Sequence, residues 1–210
     1  MILALGDCNI KGADRYNGPT YAEIVAKKLH QPLINAGITM STVREGRILF
    51  DTYKNKQPQI VLLGYGLVDS WKTFRYAPYV LYYPDNFLRK IARKIVKKYK
   101  KIARNFGLNE LFGQKYVVPP EEYEDTIRQI IQESPKIILI ETPPHRTEQF
   151  RNPDIKKYNQ ILRKLAKEYE QCEYVAIYDI FEKNPGLYFD EIHFNEKGYR
   201  LIAERILEKI

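Results

Sequence analysis

Five short runs of aliphatic residues, separated by amphipathic stretches, constrain what this chain can fold into more than any other feature. They are "ILALG" (2–6), "PLINAGI" (32–38), "QIVLLGYG" (59–66), "KIILIET" (136–142) and "YVAIYDI" (174–180). A strand with one wet face alternates apolar with polar residues, whereas an unbroken apolar run needs cover on both faces. Helical patterns at 20–30, 41–54, 120–133, 153–170 and 196–209 fall between and after these runs. Strand alternating with helix predicts a parallel five-stranded sheet between two helical layers, an α/β three-layer sandwich. In such sheets ligands bind beyond the carboxyl ends of the strands. "GDCN" follows the first run and "GYGLVDSW" ends the third, so both are expected at that edge.

With 210 residues, of which 44% are hydrophobic and 29% charged, the chain is expected to form one domain over 1–210 with a sizeable core. Its composition excludes a disordered or collagen-like chain, and no apolar stretch reaches membrane-spanning length. Two cysteines, Cys8 and Cys172, are too few for a disulfide framework or a Cys-rich zinc site. The three histidines do not cluster at ligand spacing, so neither a metal nor a cofactor is expected. Met1 leads straight into the first apolar run without a secretory pattern, which makes a cytoplasmic location the expectation.

The net charge of +8 is local. Residues 87–106, "FLRKIARKIVKKYKKIARNF", hold nine of the 34 Lys and Arg and none of the 26 acidic residues, so the rest of the chain is nearly neutral. This segment lies in an insertion, 70–119, after the third strand, whose first part is aromatic (Trp71, Phe74, Tyr76, Tyr79, Tyr82, Tyr83). Phe87, Ile91, Ile95, Tyr99, Ile102 and Phe106 make one stripe at helical spacing, and the expected role of that stripe is to pack a lid or flanking helix on the domain. Contact of Arg89, Lys90, Arg93, Lys94, Lys97 and Lys98 with an anionic surface or polymer is the alternative. No specific nucleic-acid partner is expected, because no recognised module accompanies the charge.

Near the other terminus, "FDEIHFN" places Asp190 three residues before His193. A carboxylate so spaced in a turn accepts from one imidazole nitrogen and fixes the tautomer, which frees the other nitrogen to serve as a base. A strand-end thiol such as Cys8 is a suitable nucleophile for it. His145 reads as a surface residue beside two prolines, and Cys172 as structural.

"GDCN" and "DEIH" resemble the first and last blocks of the SGNH (GDSL-like) hydrolases, Gly-Asp-Ser and Asp-x-x-His. "LINAGIT" resembles the second block and "GLVD" the Gly-x-Asn-Asp of the third, while "IETPPH" with "IKKYNQILRKLAKEY" resembles the following strand and helix. The resemblance implies a flavodoxin-like fold and acyl-ester hydrolysis, with Cys8 at the nucleophile, His193 at the base and Asp190 orienting it. It also implies an oxyanion site near the backbone N–H of Cys8 and the second block, where Met40 or Gly37 stands. Val68 replaces the oxyanion-donating asparagine, with Gly66 and Asn9 as compensating candidates. Asp7 and Asp69 are expected to support the Cys8 turn. The function so implied is a carbohydrate O-acetylesterase working through an acyl-enzyme, with Tyr65, Trp71, Tyr76 and Tyr79 as rings able to stack on sugar. Acyl transfer to a glycan at the same site, or a degenerate protein that binds a glycan or partner, remain the alternatives.

Overall fold

The computed structural model describes all of residues 1–210. β1 (Ile2–Gly6) leads into the short helix α1 (Cys8–Lys11), followed by α2 (Tyr21–Lys28), β2 (Leu33–Asn35), α3 (Val43–Tyr53) and β3 (Ile60–Gly64). The insertion contributes β4 (Lys72–Phe74), α4 (Phe87–Asn105), α5 (Leu108–Phe112) and β5 (Gln114–Tyr116). The chain then continues through α6 (Pro120–Gln132), β6 (Ile137–Ile140), α7 (Asn152–Glu168), β7 (Cys172–Val175), α8 (Tyr178–Lys183) and α9 (Glu196–Leu207). The main sheet is parallel throughout, in the order β2-β1-β3-β6-β7, which is the flavodoxin-like winding.

The unbroken apolar runs have a direct cause. Leu3, Leu5, Val61, Leu63, Ile137 and Leu139 enter one core, under α3, α6 and α7. The residues between them, Ile2, Ala4, Leu62, Ile138 and Ile140, enter the other, under α2 and α9. Each strand is split between two dry faces by its two-residue period. Gly6 and Gly64 are paired in register, and a Cβ on Gly6 would lie 2.6 Å from the Gly64 carbonyl oxygen and under 3 Å from Ile10. Only glycine lets α1 sit this close to the sheet.

Two features depart from the sequence reading. The run 174–180 is not one strand: β7 ends at Val175, and the Glu141 carboxylate accepts from the N–H groups of Ile177 and Tyr178, at 2.7 and 2.6 Å, to start α8. In the insertion, β4 and β5 pair antiparallel as a small separate sheet, and α4 does not pack its apolar stripe on the domain. Its inward side instead carries Ala92, Val96 and Ala103, of which only Ala103 is fully buried. No helix is long and apolar enough to cross a membrane.

Candidate active site

Cys8 is the first residue of α1, directly past the carboxyl end of the interior strand β1, and is only 4% exposed. Asp7 caps this helix, its carboxylate accepting from the Asn9 N–H at 2.9 Å. Ser41 reaches across from the loop before α3 and donates to the Gly6 carbonyl at 3.2 Å. Cys8 belongs to an apolar cluster with Leu67, Ile155 and Tyr178, onto which Trp71 and Ile192 pack. Segments from both ends of the chain and from the β3 loop therefore meet at one point.

His193 is carried by a tight loop between the short turn Pro185–Leu187 and α9. The loop is closed by the Tyr188–Phe194 bridge and by a hydrogen bond from the Phe189 N–H to the His193 carbonyl at 2.8 Å. The Asn195 side chain donates to the Gly186 and Tyr188 carbonyls and also caps α9. Asp190 faces His193 Nδ1 at 2.7 Å through Oδ2 and accepts from the N–H groups of Ile192 and His193 through Oδ1. Burial raises the Asp190 pKa, but these hydrogen bonds and the imidazole outweigh it and hold the carboxyl below its ordinary value. Arg146 braces the loop, donating to the Asp190 carbonyl at 3.1 Å from its side chain and to the Glu191 carbonyl from its backbone. With Nδ1 committed to Asp190, Nε2 is the nitrogen left to move a proton.

The electrostatics run against a preformed thiolate. Burial pushes the Cys8 thiol well above its ordinary range, and the Asp7 carboxylate adds to the effect. Both influences favour the neutral thiol at Cys8 in the resting protein.

Around this point the other expected residues divide. The Met40 N–H has no acceptor within the chain, and Met40 takes φ +64°, a conformation natural to glycine. The Cys8 N–H is likewise uncommitted to any other residue's carbonyl. The Gly37 N–H is already spent on Asn35 Oδ1 at 3.1 Å, and Gly37 serves as a close-packing point against Lys11 and Ile10. The Gly66 N–H is spent on Asp69 at 3.0 Å, and its φ of +138°, with Thr142 close against it, requires glycine. Val68 is buried and has no donor to offer. The Asn9 side chain is buried and lines a small, partly open cleft with Asp7, Tyr21 and Thr142. Asp69 does not bond to the Cys8 turn: it joins Gly66 to the Val43 N–H at the start of α3.

Expectations for four further residues are corrected. Tyr65 is completely buried and so presents no face to a sugar, while the Tyr79 hydroxyl is held by Glu45 at 3.0 Å. Tyr76 is exposed but packs edge-on to Phe74 and Phe112 within the insertion. His145 is buried rather than at the surface, because its backbone N–H donates to Asn152 and its Nδ1 accepts from the Glu148 N–H. Trp71, expected at this edge, packs beside Cys8 with its indole nitrogen buried and unpartnered. Sequence reading missed Tyr178, whose hydroxyl is likewise buried without a partner beside Cys8, and Glu141, which positions Tyr178. Glu141 had one visible signal, a lone acid at the end of an apolar strand.

A thiol opening α1 at the sheet edge, with a carboxylate–imidazole pair on the loop whose Ile192 packs onto the thiol's cluster, is an arrangement that suits ester and acyl hydrolysis. Residues 4–201 match the profile of the GDSL-like lipase/acylhydrolase family, and the chain belongs to that family. Among solved structures, the acetylxylan esterase Axe2 from Geobacillus stearothermophilus superposes with a TM-score of 0.66 at 18% identity, over 99% of this chain and 92% of its own. A member of the lipolytic protein G-D-S-L family from Veillonella parvula superposes at 0.64 with 16% identity, over 99% and 96%. Axe2 has also been solved as catalytic mutants in which a serine, an aspartate and a histidine three residues beyond that aspartate are each replaced by alanine. No curated protein matches at the level of sequence.

Proposed function

We propose that this protein hydrolyses O-acetyl esters of carbohydrates through an acyl-enzyme on Cys8, with His193 as base and Asp190 as its orienting acid. The observation that carries the reading is the Asp190–His193 pair, locked by three hydrogen bonds to Asp190 with Nε2 left free, at the edge where Cys8 opens α1. The name of the Geobacillus neighbour supports the substrate class, and the three-residue spacing of its catalytic aspartate and histidine supports the pairing of Asp190 with His193.

In the first half-reaction the Cys8 sulfur bonds to the ester carbonyl carbon as its proton passes to His193 Nε2. The carbon–oxygen bond then breaks, and the same proton leaves on the alcohol. In the second half-reaction water gives a proton to Nε2 and attacks the thioester. The carbon–sulfur bond breaks, acetate departs and the proton returns to sulfur. The N–H groups of Cys8 and Met40 are the donors available to the developing oxyanion. With Val68 in place of a third donor, turnover should be lower by roughly 10²- to 10³-fold than in a site with a full set.

Intact-mass spectrometry after incubation with p-nitrophenyl acetate tests the reading. A single acetyl adduct on Cys8 that is absent in His193→Ala, with faster turnover in Cys8→Ser, is the expected result. Absence of both adduct and turnover in all three proteins would refute it and leave a binding protein.

A further inference from the structure

α4 carries its apolar stripe outward. Phe87, Ile95 and Phe106 are 75%, 63% and 76% exposed, Ile91 and Ile102 lie on the same open stripe, and Tyr99 closes its inner edge by packing edge-on against the buried Phe74. The stripe continues onto α5 through Leu111 and Phe112, with Tyr76 edge-on to Phe112 at 6.2 Å. Exposed apolar surface this continuous marks a contact with something else. Along one border of the stripe stand Lys94, Lys97, Lys98 and Lys101, none within ion-pair distance of a carboxylate, and α4 itself contains no acid. Along the other border the helix turns its small residues to the protein, so the stripe and its cations share the open side.

We infer that this face docks on an anionic lipid bilayer, with α4 lying in the plane of the headgroups. A stripe of Phe and Ile beside unpaired lysines matches the two layers of such a surface, acyl chains below and anionic headgroups above. Charge argues against a second copy of the chain as the occupant, since apposing two acid-free cationic helices is repulsive. A soluble polyanion would satisfy the lysines but would leave the apolar stripe wet. The inference is independent of the chemistry at Cys8.

Vesicle co-sedimentation reads the docking directly, with pure phosphatidylcholine compared with phosphatidylcholine containing phosphatidylglycerol. The full chain should partition onto the anionic vesicles and release as salt is raised. Ile95→Ser with Phe106→Ser removes two side chains whose burial is worth roughly tenfold or more each, so partitioning should fall about a hundredfold. Lys94→Gln, Lys97→Gln and Lys101→Gln together should cost on the order of a hundredfold on anionic vesicles and little on neutral ones. All five positions are solvent-exposed, and the thermal melts of the variants should match that of the unaltered chain. Three results would overturn the proposal. One is failure of the unaltered chain to bind anionic vesicles. Another is binding that ignores the Ser pair while heparin competes fully, which would assign the helix to polyanions. The last is a dimer in light scattering that the Ser pair dissociates.

Discussion

Replacing Asp7 by Asn should stabilise the protein at alkaline pH and wake the Cys8 thiol. Burial lifts the Asp7 carboxyl from its ordinary 3.8 to about 6, against the pull of the Asn9 N–H and of His193. Between those two values the folded state still holds a proton that the unfolded chain has released, so stability falls as pH rises through that window. The ionised carboxylate therefore costs about 3 kcal/mol at pH 8 and only about 0.5 kcal/mol at pH 4. Asparagine caps a helix as well as aspartate does, and its side-chain oxygen still accepts from the Asn9 N–H, so the change removes charge and little else. Asp7→Asn should gain about 3 kcal/mol at pH 8, which for a chain of this size is a rise in Tm of roughly 6–12 °C, and almost nothing at pH 4. Urea unfolding at several pH values measures the difference.

The same substitution removes the second-largest influence holding the Cys8 proton in place, after burial itself. Alkylation of Cys8 by iodoacetamide at pH 8 should accelerate in Asp7→Asn, while Cys172, pushed up to about 12 by its own burial, stays inert. A stability difference that is the same at pH 4 and pH 8 would refute the account of Asp7 as a buried charge. An unchanged alkylation rate would refute its coupling to the thiol.

Three other substitutions probe the frame of the site. Glu141→Ala strands the Ile177 and Tyr178 N–H groups and the Tyr174 hydroxyl, and should cost about 3 kcal/mol in urea unfolding, with loss of acetylation as Tyr178 shifts beside Cys8. Met40→Gly relieves a left-handed backbone conformation at some cost in chain entropy, and should gain about 0.5–1 kcal/mol with acetylation unchanged. Val68→Asn puts a donor next in sequence to Leu67, which packs with Cys8, and should speed acetyl-enzyme formation, measured by stopped-flow, on the order of 10²-fold, at about 1–2 kcal/mol in stability for the buried amide.

Much of the sheet was legible because every strand position is apolar for the same reason, burial on both faces, and β1 starts and ends where the run does. Asp190 and His193 were legible because a three-residue spacing in one tight loop fixes their meeting locally. What periodicity cannot convey is which surface covers a given face. Tyr178 reads as a strand residue until Glu141, 37 positions away, captures its N–H and turns the chain into α8. His145 looks like a loop-surface residue until Asn152 and Glu148 fold over it. α4 is the clearest case, since its stripe has the 3.6-residue spacing that would serve equally for a protein core or a bilayer. The deciding signal lies on the neighbouring face. Close approach of a helix to the domain needs small side chains, and Ala92, Val96 and Ala103 supply them at spacings of four and seven. A helix with one small-residue face and one face of Phe and Ile has two surfaces to satisfy, and this fold covers only the first.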